Sequence, residues 1–153
     1  MSGDQSTREH AAPAAGGRTF DADLDFLSRW AAPFGLLARA MLAYIFILEG
    51  AGKITTYADV VQYMQANGVD GRLLPLVILT ELGGGLLVLF GLWTRWAAIA
   101  LSGYCLLTAL IFHMGADQAI QLNKNISMAG GFLALAVLGA GPWSLDGWRG
   151  RAG

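Results

Sequence analysis

The stretch Arg39–Lys53, RAMLAYIFILEGAGK, limits the fold more than any other part of the chain. Its body, Ala40–Leu48, is uncharged and mostly large and apolar, with Arg39 on one side and Glu49 and Lys53 on the other. On a helix turning roughly 100° per residue, Arg39, Glu49 and Lys53 fall within a sector of about 80°. Arg39 and Lys53 then stand about 21 Å apart along the axis. A soluble helix would turn such a stripe to water and bury its opposite face. Here Ala31–Leu48 is apolar almost all round and holds a single charge. The segment therefore reads as a membrane helix whose charged stripe must find partners inside a bundle.

Composition agrees. Charged residues make up 14% of the chain and mean hydropathy is +0.50, whereas soluble domains carry about 25% charge. No basic run suggests a nucleic-acid partner. The single cysteine, Cys105, excludes a disulfide or a dithiol relay within the chain, and its apolar setting suits a small buried hydrophobe.

Residues Met1–Thr19, rich in Ala, Gly, Ser and charge, have no apolar core of a signal peptide and are expected to be disordered. Phe20, Leu24 and Leu27 recur at helical spacing among aspartates, which fits a short interfacial helix over Phe20–Trp30. Four hydrophobic segments follow: Pro33–Lys53, Leu73–Leu92, Trp96–Phe112 and Asn125–Trp143. Each approaches the roughly 20 residues that cross a bilayer. Trp93–Arg95 leaves room only for a tight hairpin between the second and third. Between the first two, Tyr57, Val60, Val61 and Met64 mark a short amphipathic helix. Thr56 with Asp59 resembles a capping box at its start, and Asn67-Gly68 gives its stop. The expected fold class is thus all-α: a four-helix transmembrane bundle with an amphipathic helix between the first two spans. The expected divisions are an N-terminal extension (residues 1–30), the membrane domain (31–146) and a cytoplasmic tail (147–153).

With alternating spans, Arg8, Arg18, Arg29, Arg39, Arg95, Arg149 and Arg151 gather toward one side; Lys53, Arg72 and Lys124 lie toward the other. The positive-inside rule then puts both termini in the cytoplasm, and all five tryptophans fall on that side as an interfacial belt.

Glu81 lies about 13 Å past Arg72 at the helical rise, close to the midplane. An unpaired carboxylate there costs several kcal/mol, so it must be protonated, paired or wetted. Glu49, Lys53, Glu81, His113 and Lys124 can converge on the outer half of one bundle, with Asn125 opening the fourth span beside them. Acids, amines and an imidazole in low dielectric suit proton-coupled chemistry, with Glu81 and Lys124 as candidate proton carriers. The plainer alternatives are that Lys53 and Lys124 snorkel to headgroups, that Glu49–Lys53 is a structural pair, and that His113 is interfacial. Arg39 either reaches the inner headgroups or holds a partner such as Asp146. His113 is the only imidazole of the bundle, so bis-His haem would need a second chain, and no metal site is expected.

Several of these pieces together resemble the DoxX family of small four-helix bacterial membrane proteins. They are Leu37-Ala38-Arg39, Gly50-x-x-Lys53, Glu81-x-Gly83-Gly84, Gly91-x-x-Thr94-Arg95, Lys124-Asn125 with Gly130-Gly131, and the closing Gly141-Pro142-Trp143-Ser144-Leu145-Asp146. Their order and spacing over Phe34–Asp146 carry the resemblance. It implies a bacterial inner-membrane subunit of quinone-linked, thiosulfate:quinone or oxidative-stress redox systems, with Arg39, Lys53, Glu81 and Lys124 as its characteristic polar residues. No catalytic mechanism is carried over. Without haem ligands or cysteine pairs, electrons would pass through a bound quinone or a partner's cofactor. Candidate quinone-binding residues are Arg39, Glu49, Lys53, Glu81, His113, Lys124 and Asn125. The leading expectation is an accessory or quinone-associated subunit, contacting lipid and other redox subunits or copies of itself. An enzyme in its own right, or a membrane chaperone or small-solute or proton permease without redox activity, remain the rivals.

Overall fold

The computed structural model describes residues 15–150, all-helical with no strand among them. The helices are α1 (Ala15–Thr55), α2 (Tyr57–Ala66), α3 (Leu74–Ile78), α4 (Gly84–Phe90), α5 (Thr94–Phe112), α6 (Ala119–Leu138) and α7 (Leu145–Arg149). A π-helical turn, Leu79–Gly83, joins α3 to α4 in one run, and short 3-10 turns lead into α3 and α6. Among the described residues, three helical segments are long and apolar enough to cross a membrane: Ser28–Thr55, Gly71–Phe90 and Thr94–Phe112.

The chain falls into two compact units, Met1–Ala31 and Ala32–Gly153. In the first, the Phe26 and Trp30 rings lie 6.2 Å apart and the Ser28 hydroxyl donates to the Asp25 carbonyl at 2.8 Å. The disorder expected for Met1–Thr19 falls partly outside the described residues. From Ala15 onward the backbone is helical, so the short helix expected at Phe20–Trp30 is no separate element. No proline stands between Ala15 and Ala32 to stop it. Pro33 lies inside α1, where its missing donor removes one intrahelical bond.

In the second unit, α1 buries a single stripe. Arg39, Ala43, Phe46 and Gly50 are all buried, at alternating steps of four and three residues. That stripe meets Val88 of α4, Ala97, Ala98, Leu101 and Cys105 of α5, and Ala129, Phe132 and Leu135 of α6. Phe46 and Phe132 meet edge to face at 5.2 Å, and small residues elsewhere let the backbones close up. Outward-facing Met41, Leu48, Leu79, Leu110 and Val137 remain exposed, the pattern of a lipid-facing surface.

Two local details depart from the sequence expectation and one agrees with it. The Thr56 hydroxyl caps nothing in α2; it donates back to the Gly52 carbonyl at 3.1 Å, because α1 runs on into that turn. The Asn67-Gly68 stop is present, with Gly68 at φ +76. The segment expected at Asn125–Trp143 is helical over Ala119–Leu138 instead. Gly139 and Gly141, at φ +81 and +74, end it early, and Pro142 follows them.

Candidate functional site

The site is built where α1 crosses the π turn. Gly50 makes the crossing possible: a Cβ there would stand 2.8 Å from the Leu82 amide nitrogen and 3.2 Å from the Glu81 Cβ. Lys53, one turn further along the same stripe, is thereby carried to Glu81. Its ammonium lies 2.8 Å from Glu81 Oε2 and 3.3 Å from Glu49 Oε2. Tyr104 of α5 donates its hydroxyl to Glu81 Oε1 at 2.6 Å. The Glu81 side chain is only 7% exposed and that of Lys53 19%, whereas Glu49 is 60% exposed. Lys53 therefore does not snorkel; it points inward, because a buried carboxylate without a cation would cost several kcal/mol.

These groups stand in the wall of a cavity of about 1120 Å³. Ile45, Phe46, Leu76, Leu107, Ile111 and Met128 supply apolar wall, and α2 covers one side with Val60, Tyr63 and Met64. Tyr63 stacks on Phe112 at 5.5 Å, and Met64 is buried. His113, Lys124 and Asn125 also line this cavity. Asn125 is buried, donating to the Gln121 carbonyl at 2.9 Å and accepting from Thr108 at 3.4 Å. His113 Nδ1 is buried with no hydrogen-bond partner, and Lys124 has no carboxylate within 4.0 Å among the described residues. Six of the expected residues, Glu49, Lys53, Glu81, His113, Lys124 and Asn125, thus share one cavity.

Arg39 does not. It is fully buried at the other end of the bundle. Its guanidinium donates to the Leu89 carbonyl at 3.2 Å and to the Trp143 carbonyl. Gly91, left-handed at φ +68, lies directly against it; a Cβ there would collide with Arg39 Nη1 and Ser144. Asp146 is not hydrogen-bonded to Arg39. Its carboxylate instead accepts the Trp93 and Thr94 amides at 2.9 and 2.8 Å, capping α5, while its own amide donates to the Gly91 carbonyl at 2.8 Å. Burial works against the Asp146 carboxylate, but the Thr94 and Trp93 amides outweigh it and hold its pKa below the usual range. Arg95 adds bonds to the Ala136 and Val137 carbonyls at 2.8 and 2.6 Å at the end of α6. This end is a lock on backbone groups, with no cavity-lining role for Arg39.

Two features of the site were missed in the sequence. Tyr104 reads as one more apolar residue of an uncharged span; the available signal was a phenol in mid-span, away from the interfaces where tyrosines gather. The π turn leaves no composition signature, although such turns are frequent at functional sites.

Apolar helices of membrane-crossing length around a buried acid–amine–phenol cluster define a class, the small helical membrane proteins with a buried polar site. Within it, the chain belongs to the DoxX family, whose pattern matches residues 34–114. It is similar to "Inner membrane protein YqjF" of Escherichia coli (strain K12), 48% identical over 114 residues that cover 72% of this chain and 88% of that protein. It is also similar to "Inner membrane protein YphA" of the same organism, 36% identical over 121 residues, 72% of this chain and 86% of that one. No solved structure matches it. The family match takes in Arg39, Glu49, Lys53, Glu81, Tyr104 and His113 and ends before Lys124.

Proposed function

We propose that this DoxX-family protein crosses a bacterial inner membrane four times with both termini cytoplasmic, and serves a membrane redox system as an accessory, quinone-associated subunit. The observation that carries the quinone reading is the cavity: about 1120 Å³, apolar over most of its wall, with Lys53, Glu81 and Tyr104 in it together with His113, Lys124 and Asn125. A quinone head group is a flat apolar ring with carbonyl oxygens on opposite sides, and it needs such sparse donors in an apolar pocket. Among the described residues His113 Nδ1 has no hydrogen-bond partner and Lys124 no carboxylate within 4.0 Å, whereas Lys53 and Tyr104 are already engaged with Glu81. In this reading Lys124 and His113 hold one carbonyl. The cluster at Glu81 faces the other and exchanges protons as the ring is reduced or oxidised by a partner's cofactor. α6, 20 residues long, is the fourth crossing; at 1.5 Å per residue it spans about 30 Å despite its polar first turns.

The test is equilibrium binding of a short-chain ubiquinone to the purified protein in nanodiscs. Saturable uptake above that of empty nanodiscs is expected. Lys124→Met should weaken it about tenfold, the worth of one hydrogen bond from a charged donor. Uptake equal to that of empty discs refutes the reading.

A further inference from the structure

Lys53 stands between two carboxylates in unlike surroundings. It is 2.8 Å from Glu81, which is 7% exposed, and 3.3 Å from Glu49, which is 60% exposed. Glu49 and Lys53 lie one turn apart on α1, so their spacing is set by the helix. Glu81 belongs to another segment and reaches Lys53 only across the Gly50 contact. The trio holds two carboxylates and one ammonium, an excess negative charge beside an apolar cavity where such charge is poorly solvated.

We propose that the trio is a proton-binding site with an exchangeable counter-ion. A proton delivered by hydronium from the aqueous phase binds Glu81, leaving neutral water, and Lys53 passes its ion pair to Glu49. Tyr104 decides which oxygen receives the proton. Its hydroxyl donates to Oε1 at 2.6 Å, so Oε1 stays an acceptor and the proton lands on Oε2, the oxygen that faces Lys53. A protonated Oε2 no longer attracts the ammonium. Lys53 keeps all its protons and closes on Glu49; no electron moves, and the trio goes from an excess charge to neutrality. The tie between α1 and the π turn is released in the same step. The device concerns the cluster alone and stands whether or not the cavity takes a quinone.

Other ionisable groups face the same space and must be separated from it. Cys105 adjoins Tyr104 on α5, and His113 follows the end of that helix. Asp59 and Tyr63 come from α2, and Lys124 from α6. The measurement is infrared difference spectroscopy of the full-length protein in nanodiscs, in a His113→Gln background, over about pH 4 to 9, the range of carboxyl and imidazole titration. The difference between each protein and the same protein carrying Glu81→Gln isolates the Glu81 carboxyl, and its protonated band should grow as pH falls. Glu49→Gln removes the second carboxylate and leaves Lys53 nowhere else to go. The half-point of the band should then fall by about one pH unit, because a like charge has been taken away. Tyr104→Phe keeps every charge but deletes the bond to Oε1, and must move the half-point upward. The lack of a Glu81-dependent difference band, or a half-point unmoved by Glu49→Gln or by Tyr104→Phe, each overturns the proposal.

Discussion

Replacing Lys53 by Met removes the cation from a carboxylate that has one other partner, Tyr104, and little water. Breaking a buried ion pair from one side costs about 3–5 kcal/mol. Lys53→Met should therefore lose about 3–5 kcal/mol at pH 7. Glu81→Gln in the same chain should restore most of the loss, since no charge is then left unpaired. Steric-trapping or denaturant unfolding in bicelles at pH 7 supplies the measurement. A Lys53→Met protein as stable as wild type at pH 7, or a double variant no better than the single one, refutes the buried ion pair.

At the other end, Gly91→Ala should cost at least the roughly 1–2 kcal/mol of a left-handed Cβ and more from its collision with Arg39. Gly52→Ala, with nothing within 4 Å of its Cβ position, should be neutral or slightly stabilising by the same unfolding assay. Asp146→Asn weakens the two amide bonds that cap α5 and should lose about 1–2 kcal/mol at neutral pH. Because the Asp146 pKa is held below its ordinary value, the wild-type contribution should persist at neutral and mildly acidic pH. It should disappear only as pH falls through that lowered value, which an acid-unfolding series will show. Cysteines placed at Ser2 and Ala152 should be shielded from impermeant reagents in intact cells while one at Asp70 is labelled; the reverse pattern would invert the proposed orientation.

The membrane character and the helical segments were legible because hydrophobic length is a property of sequence alone. Glu81 was legible for a similar reason: depth can be counted in residues, and depth sets the cost of charge. The bounds of α6 were not: its end is set by Gly139 and Gly141, whose positive φ angles appear only in the folded chain. Arg39 was half legible. Its burial followed from its place in an apolar stretch, but its partners are the backbone carbonyls of Leu89 and Trp143, and carbonyls carry no residue type to search for.

Lys53 shows how much further the sequence could have been read. A cation at the end of a membrane helix can turn outward to headgroups or inward to a buried acid, and its distance from the boundary does not decide between them. The phase of the helix does. Arg39, Ala43, Phe46 and Gly50 repeat at steps of four, three and four, and the next step of three lands on Lys53. Gly50 is the residue of that stripe without a side chain, so it marks where another backbone comes closest. Lys53, one turn beyond it on the same face, must project toward whatever crosses there. The crossing segment is the one that carries Glu81, whose carboxyl near mid-span already had to be protonated, paired or wetted. Phase and depth together select the Lys53–Glu81 pair over the Glu49–Lys53 pair as the one that joins two segments. Neither consideration finds Tyr104, whose hydroxyl enters only once α5 is packed beside the π turn.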